Sequence, residues 1–161
     1  MSKAQLADKT QDTEVSSLLI PLVGRHLLVP AVTVAEMVPF RKPERDPEAP
    51  DWYLGDIIWR EERIPLVSLE VLCGEAMPAY DGSSRIAVLN NAGVDESLSF
   101  LALATQGIPR LSRVKAEEIH EVEGAALKPF DLMHVSHAGE TLVIPDVAGL
   151  EQAFIDYRNT R

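Results

Sequence analysis

Short apolar runs, rich in Leu, Val and Ile, recur along this chain, and each is cut by proline, glycine or charge within about eight positions. That rhythm predicts short strands joined by turns. Residues 18–23 and 27–30 flank Gly24-Arg25-His26 as a hairpin. Pro21 has no N–H to donate, so it calls for an edge position or a bulge. Residues 35–40 continue as a strand, kept from helix by Pro30 and Pro39. Prolines 39, 43, 47 and 50, with charges between them, make a solvated loop. A second hairpin runs through residues 51–60 and 64–67, with Glu61-Glu62-Arg63 as its turn. Ser68 then caps a short helix, residues 69–72, which Gly74 stops.

The second half repeats this order. Residues 75–84, with Pro78, Asp81 and Gly82, form the boundary, and strands follow at 85–89 and 98–104 around the turn-rich stretch 90–96. Gly107-Ile108-Pro109 interrupts, residues 111–114 are extended, 115–118 turn, and 119–122 and 132–135 are strands. Residues 63–72 and 140–150 then match as a half-pattern: a charged turn, an apolar strand, and a Ser or Asp start signal before a helix. In the closing helix Val147, Leu150, Phe154 and Tyr157 fall on one face. The expected class is all-β with short helices, in two related units. Such a doublet has two surfaces and a seam between them, which suits holding two partners.

Composition narrows the functional classes. An apolar content of 46% in 161 residues suffices for a continuous core. A net charge of −10 opposes nucleic-acid binding, which needs a basic patch. No apolar stretch reaches the roughly 20 residues of a membrane span. Residues 1–16 are polar, with no apolar core of a secretory signal, and read as a flexible tail ahead of a folded unit at 17–161. The single cysteine, Cys73, cannot form an internal disulfide and sits among Leu69, Val71 and Leu72, as a buried structural thiol in a cytoplasmic protein would.

Candidate chemistry is sparse. His134 and His137 have a His-x-x-His spacing, but in a strand positions three apart point to opposite faces. His26 and His120 fall on a turn and a charged strand. No nucleophile elbow or phosphate-binding glycine loop is present, and the pairs Glu61-Glu62 and Glu117-Glu118 are adjacent turn charges. An interaction protein without cofactor or metal is the leading reading. A small metal-dependent or hydrolytic enzyme using His120, His134 or His137 is the alternative, and a proline-peptide module using Trp52, Tyr53 and Trp59 ranks third.

Several segments carry a resemblance when taken in order: Val34-Ala35-Glu36-Met37, Gly55, Ile58-Trp59-Arg60-Glu61, Pro65-Leu66-Val67-Ser68-Leu69, Gly107-Ile108-Pro109-Arg110-Leu111 and Ala116-Glu117-Glu118-Ile119. Together they resemble the CheW family of chemotaxis coupling proteins across nearly the whole chain after the tail. The resemblance implies two SH3-like five-stranded β-barrels sharing a core. It also implies a monomeric, non-enzymatic adaptor bridging the tip of a methyl-accepting receptor and the regulatory domain of a CheA-type histidine kinase, recruited from the cytoplasm to receptor arrays. By position, Val34, Glu36, Arg60 and Ile108 would line the receptor groove, whereas kinase contacts cannot be assigned. Two departures stand out: Glu61 replaces the family's turn glycine, with the expectation of an altered turn near Arg60, and Ser68 replaces an Asp. They suggest a specialised paralogue, such as one controlling pili or surface motility.

Overall fold

The computed structural model describes residues 14–161, so most of the tail expected at residues 1–16 lies outside the described residues. Strand β1 (Glu14–Leu22) already includes the last three positions assigned to that tail. The chain continues through β2 (Arg25–Pro30), a 3-10 turn (Ala31–Thr33), β3 (Val34–Pro39), β4 (Tyr53–Trp59), β5 (Glu62–Val67) and helix α1 (Leu69–Leu72). The second half comprises β6 (Arg85–Asn90), β7 (Phe100–Thr105), β8 (Arg110–Lys115), a 3-10 turn (Ala116–Glu118), β9 (His120–Glu121), β10 (Asp131–His137), β11 (Glu140–Pro145) and α2 (Val147–Asn159).

Two sheets result, and each draws strands from both halves. Sheet one runs β8-β1-β2-β11-β10-β9, and sheet two runs β3-β6-β7-β5-β4. The exchange is symmetrical. The third strand of each half pairs antiparallel with the first strand of the other: β3 with β6, β8 with β1. The last strand of each half pairs parallel with the second strand of the other, Leu66 opposite Ala102 and Val143 opposite Leu27.

Both sheets are rolled, yet neither ladder closes, which corrects the closed five-stranded barrels implied by the resemblance. Sheet one has six strands, and its outermost members β8 and β9 are separated in sequence by residues 116–119 alone. That link spans at most about 17 Å, less than the roughly 24 Å width of a flat six-stranded sheet. The sheet must curl to connect its own edges. In sheet two the edges β3 and β4 are joined by side chains, since Trp59 Nε1 donates to Glu36 at 2.8 Å. Backbone closure gives way there because β3 is bulged between Val34 and Glu36 and ends at Pro39.

Rolling produces three apolar cores. Ile57, Trp59, Ile64, Leu66, Ile86 and Val88 fill sheet two, and Leu19, Leu28, Val114, Val135 and Leu142 fill sheet one. Between the sheets lies the shared core of Ile20, Leu27, Val67, Leu89, Leu103, Val143, Leu150 and Phe154. Alternate residues of one strand serve different cores, as Leu27 and Val29 face the shared core while Leu28 faces sheet one. Double-faced burial explains why the central strands read as unbroken apolar runs.

The repeated half-pattern is one structural unit used twice. Each copy is a hairpin with a two-residue turn in which both residues have positive φ, Arg60-Glu61 (48° and 65°) and Ala138-Gly139 (49° and 80°), the type I′ geometry that matches strand twist. Each ends in a capped helix: Ser68 Oγ accepts from Val71 N at 3.3 Å, and Asp146 Oδ1 from Gly149 N at 2.9 Å. The first turn therefore falls one residue earlier than the sequence suggested. Pro21 lies in a strand with neighbours on both sides, but pairing to β8 stops at Leu19, so no ladder requires its missing N–H.

Among the described glycines, Gly55 lies closest to a neighbouring backbone. Its φ is +125°, and an added Cβ would stand 2.2 Å from the carbonyl oxygen of Glu44. Gly55→Ala is expected to cost about 3 kcal/mol, from overpacking and positive-φ strain. Thermal unfolding measures it, and an unchanged Tm would show that residues 40–52 yield without cost.

Candidate functional site

Two surface features arise from the way the sheets meet. At the seam, the ends of β2, β6 and β11 and the start of α2 leave a groove of about 340 Å³ lined by Leu28, Pro30, Val32, Asn90, Ala92 and Val147. Val32 is 83% exposed on the 3-10 turn, whose carbonyl accepts a 2.8 Å bond from Asn90 Nδ2. The apolar surface continues to Val15, Val114 and Ile119 at the mouth of sheet one. A contiguous apolar surface that folding leaves open is suited to covering by another chain.

The second feature is the closure of sheet two. The Glu36 carboxylate accepts from buried Trp59 Nε1 and, at 3.3 Å, from Arg60 Nη2, and the Arg60 guanidinium lies 4.7 Å from the Trp59 ring centroid. Glu36 is therefore tied to a core residue as well as to a surface cation. The turn presents Arg60 outward, two-thirds exposed. Glu61 adopts the left-handed backbone that a glycine would take. Its presence places a side chain on a backbone conformation that L residues rarely adopt, which strains the turn.

Of the four residues proposed for a receptor groove, the structure brings Glu36 and Arg60 together. Val34 lies two residues beyond Val32, paired with Leu89, and packs against the shared core. Ile108 is 70% exposed in the loop between β7 and β8, where Gly107 approaches Pro21 and Ser83. Val34 and Ile108 thus stand near opposite ends of β6, roughly 17 Å apart along the strand direction.

The histidines are scattered. His120 is exposed on β9, His137 is at the end of β10, and His134 Nε2 is 2.8 Å from Asp131 Oδ2. Among the described residues no three His, Cys, Asp or Glu side chains gather as a metal-holding group. His134 belongs instead to a half-buried network that fixes the β1–β2 turn against β10. Arg25 Nη1 bonds both Asp131 oxygens at 2.8 and 3.0 Å, and its Nη2 donates to Cys73 Sγ at 3.2 Å. Burial alone would push the Asp131 carboxyl up, but bonds from His134, Lys128 N and Arg25 outweigh it and hold the group below its usual range. Cys73 is half-buried, not fully buried as its neighbours suggested, and burial pushes its thiol up despite Arg25. The aromatics considered for peptide binding are structural: Tyr53 and Trp59 are buried, and Trp52 meets Tyr157 edge-on.

Sequence reasoning passed over two buried carboxylates, Glu70 and Glu151, exposed by 2% and 0%. Glu70 accepts from Val23 N at 3.2 Å, and Glu151 from Ala92 N at 2.7 Å. The available signal was a Leu-Glu pair within the helix that follows the strand in each copy of the repeat, Leu69-Glu70 and Leu150-Glu151.

A family model described as the CheW-like domain matches residues 16–153. Among solved structures, the scaffolding protein TtCheW from Thermoanaerobacter tengcongensis aligns with a TM-score of 0.70 at 16% identity, covering 82% of this chain and 88% of that one. No curated protein matches the chain.

Two stability measurements follow from this geometry. Glu61→Gly is expected to raise stability by about 1 kcal/mol through relief of left-handed strain, read as a higher Tm; a lower Tm would mean that the Glu61 side chain holds the turn. Asp131→Asn leaves Arg25 poorly paired and should cost about 3 kcal/mol at neutral pH. Because the folded Asp131 pKa lies below its unfolded value, its contribution is full above the ordinary carboxylate range and is lost as pH falls through the lowered value. Wild type and variant should therefore converge in acid, and a constant gap would assign the loss to packing.

Proposed function

The chain belongs to the family of CheW-like domains, and from that premise we propose that it is a non-enzymatic adaptor. It couples the tip of a methyl-accepting receptor to the regulatory domain of a CheA-type histidine kinase in the cytoplasm. The observation that carries this reading is the exchanged pair of sheets: family membership joined to a seam groove and a second, separately built surface at Glu36 and Arg60. An adaptor has to hold two partners without altering either covalently, and rigid sheets with different exposed chemistry meet that need. The structural relative's description as a scaffolding protein points the same way.

Within this reading, Val34, Glu36, Arg60 and Ile108 form the receptor-facing set. Two helices side by side are about 20 Å across, comparable to the separation of Val34 from Ile108 along β6. A helical hairpin laid across that direction can reach both. Ile108 supplies apolar area at no cost to the core because it is already exposed, and the Trp59-anchored Glu36 offers a carboxylate edge to receptor donors.

Titration calorimetry of the chain into the kinase regulatory domain and into a receptor-tip fragment is expected to show saturable binding to each. Ile108→Glu should weaken receptor binding at least tenfold, about 1.4 kcal/mol, and leave kinase affinity and Tm unchanged. An unchanged receptor affinity in the folded variant would remove Ile108 from the interface. Absence of binding to both partners would overturn the adaptor reading.

A further inference from the structure

The two buried glutamates occupy related places in the repeated architecture. Glu70 stands on α1, which follows β5 of sheet two, and bonds the backbone of Val23 in the β1–β2 turn of sheet one. Glu151 stands on α2, which follows β11 of sheet one, and accepts from the backbone N–H of Ala92 in the β6–β7 loop of sheet two. Each carboxylate crosses from the helix that ends one half to the first loop of that same half, which lies in the opposite sheet. In each, the second oxygen, Oε1, is buried without a hydrogen-bond partner. An ionised carboxylate with an unsatisfied buried oxygen is an expensive way to hold a loop. A neutral side chain of the same shape would serve packing equally well.

The two sites differ in what they hold. Val23 belongs to a tight two-residue turn, whereas Ala92 lies in a nine-residue connection, 91–99, and lines the seam groove together with Asn90, Asn91 and Val147. Val147 belongs to the helix that carries Glu151. The carboxyl therefore stands behind the groove and fastens one wall to the other.

We propose that Glu151 is a positioning residue whose carboxyl, by accepting from the backbone N–H of Ala92, sets the Asn90–Ala92 wall of the seam groove, and that gain or loss of its proton moves that wall. The chemistry is asymmetric between the two states. The ionised form accepts strongly from the Ala92 N–H but leaves Oε1 buried without a partner. The neutral form relieves that cost and binds the loop more weakly. Burial pushes the Glu151 carboxyl up, opposed by the Ala92 and Val94 donors. No charged side chain is among the causes of that shift; the loop carries Asp95 and Glu96, α2 carries Asp156 and Arg158, and Tyr53 and Tyr157 pack with Phe154 on the helix's aromatic face. Arg158 is occupied, bonding Ser97 Oγ at 2.8 Å and lying 3.6 Å from Asp95. Because the folded chain holds this proton more tightly than the unfolded chain, the linked stability is full below the ordinary glutamate range and falls as pH rises through the raised value.

The use of this wall by a partner rests on the adaptor reading; its motion does not. The test is an amide titration of the full chain by nuclear magnetic resonance, in wild type and in Glu151→Gln, which can still accept from Ala92. Wild-type amides of Ala92 and Val94 should shift in one transition above the ordinary glutamate range, accompanied by Asn90, Asn91 and Val147. The transition should be lost in Glu151→Gln, with Val23 unaffected. Absence of a transition, its persistence in Glu151→Gln, or its confinement to Ala92 and Val94 would overturn the proposal. If the receptor tip fails to bind wild type at any pH while the amides titrate as stated, the adaptor reading fails and the positioning role stands.

Discussion

Burial of both faces of the central strands is the constraint on which the rest of the structure depends. β1, β2, β6 and β7 carry apolar side chains on alternate sides, and each side requires its own cover. A flat sheet in a chain of this length could cover one face only. Rolling each sheet covers one set of side chains, and apposing the rolls covers the other. The exchange of strands follows naturally, because β5 and β11 must supply parallel partners at the buried edges of β7 and β2.

The same constraint decides where polar groups can be tolerated. Along the seam, backbone groups of the first loops would be orphaned unless something reached them from the opposite sheet, and Glu70 and Glu151 do so. At the open edges, side chains substitute for missing ladders: Glu36 joins β3 to Trp59, and the bidentate Arg110–Glu140 pair joins β8 to the β10–β11 turn. The ion pair at this exposed edge contributes little to stability. The Trp59 bond contributes more, because its donor is otherwise cut off from water.

Much of this architecture was legible before the structure. The hairpins, the caps at Ser68 and Asp146, the repeated unit and the interrupting Gly107-Ile108-Pro109 all follow from local chemistry that a sequence displays directly. Strand ends were less legible: residues 119–122 were expected as a strand, and the ladder holds His120 and Glu121, with Val122 N donating to His134 O at 2.8 Å just beyond it. The exchange between halves could not be read, because parallel pairing across long separations leaves no local signature. Buried Glu70 and Glu151 were hidden for a related reason. A glutamate in a helix normally signals a solvated face, and only the distant loop that each one meets reveals otherwise. The Glu36–Arg60 contact was reached through resemblance, while the part played by Trp59 depended on the curl of a sheet.

Strand exchange also shapes the order of events during synthesis. When the first half has left the ribosome, β3 and β5 have no β6 or β7 to pair with, and β1 and β2 lack β8 and β11. The nascent chain therefore holds its hairpins with one apolar face uncovered until the later strands arrive. A chain built this way can complete sheet two once β7 has emerged, but sheet one and the shared core wait for β11, and apolar surface stays open to aggregation until then. A chain ended before β11 lacks the strand that joins β2 to β10, so sheet one is complete only when the last strand is in place.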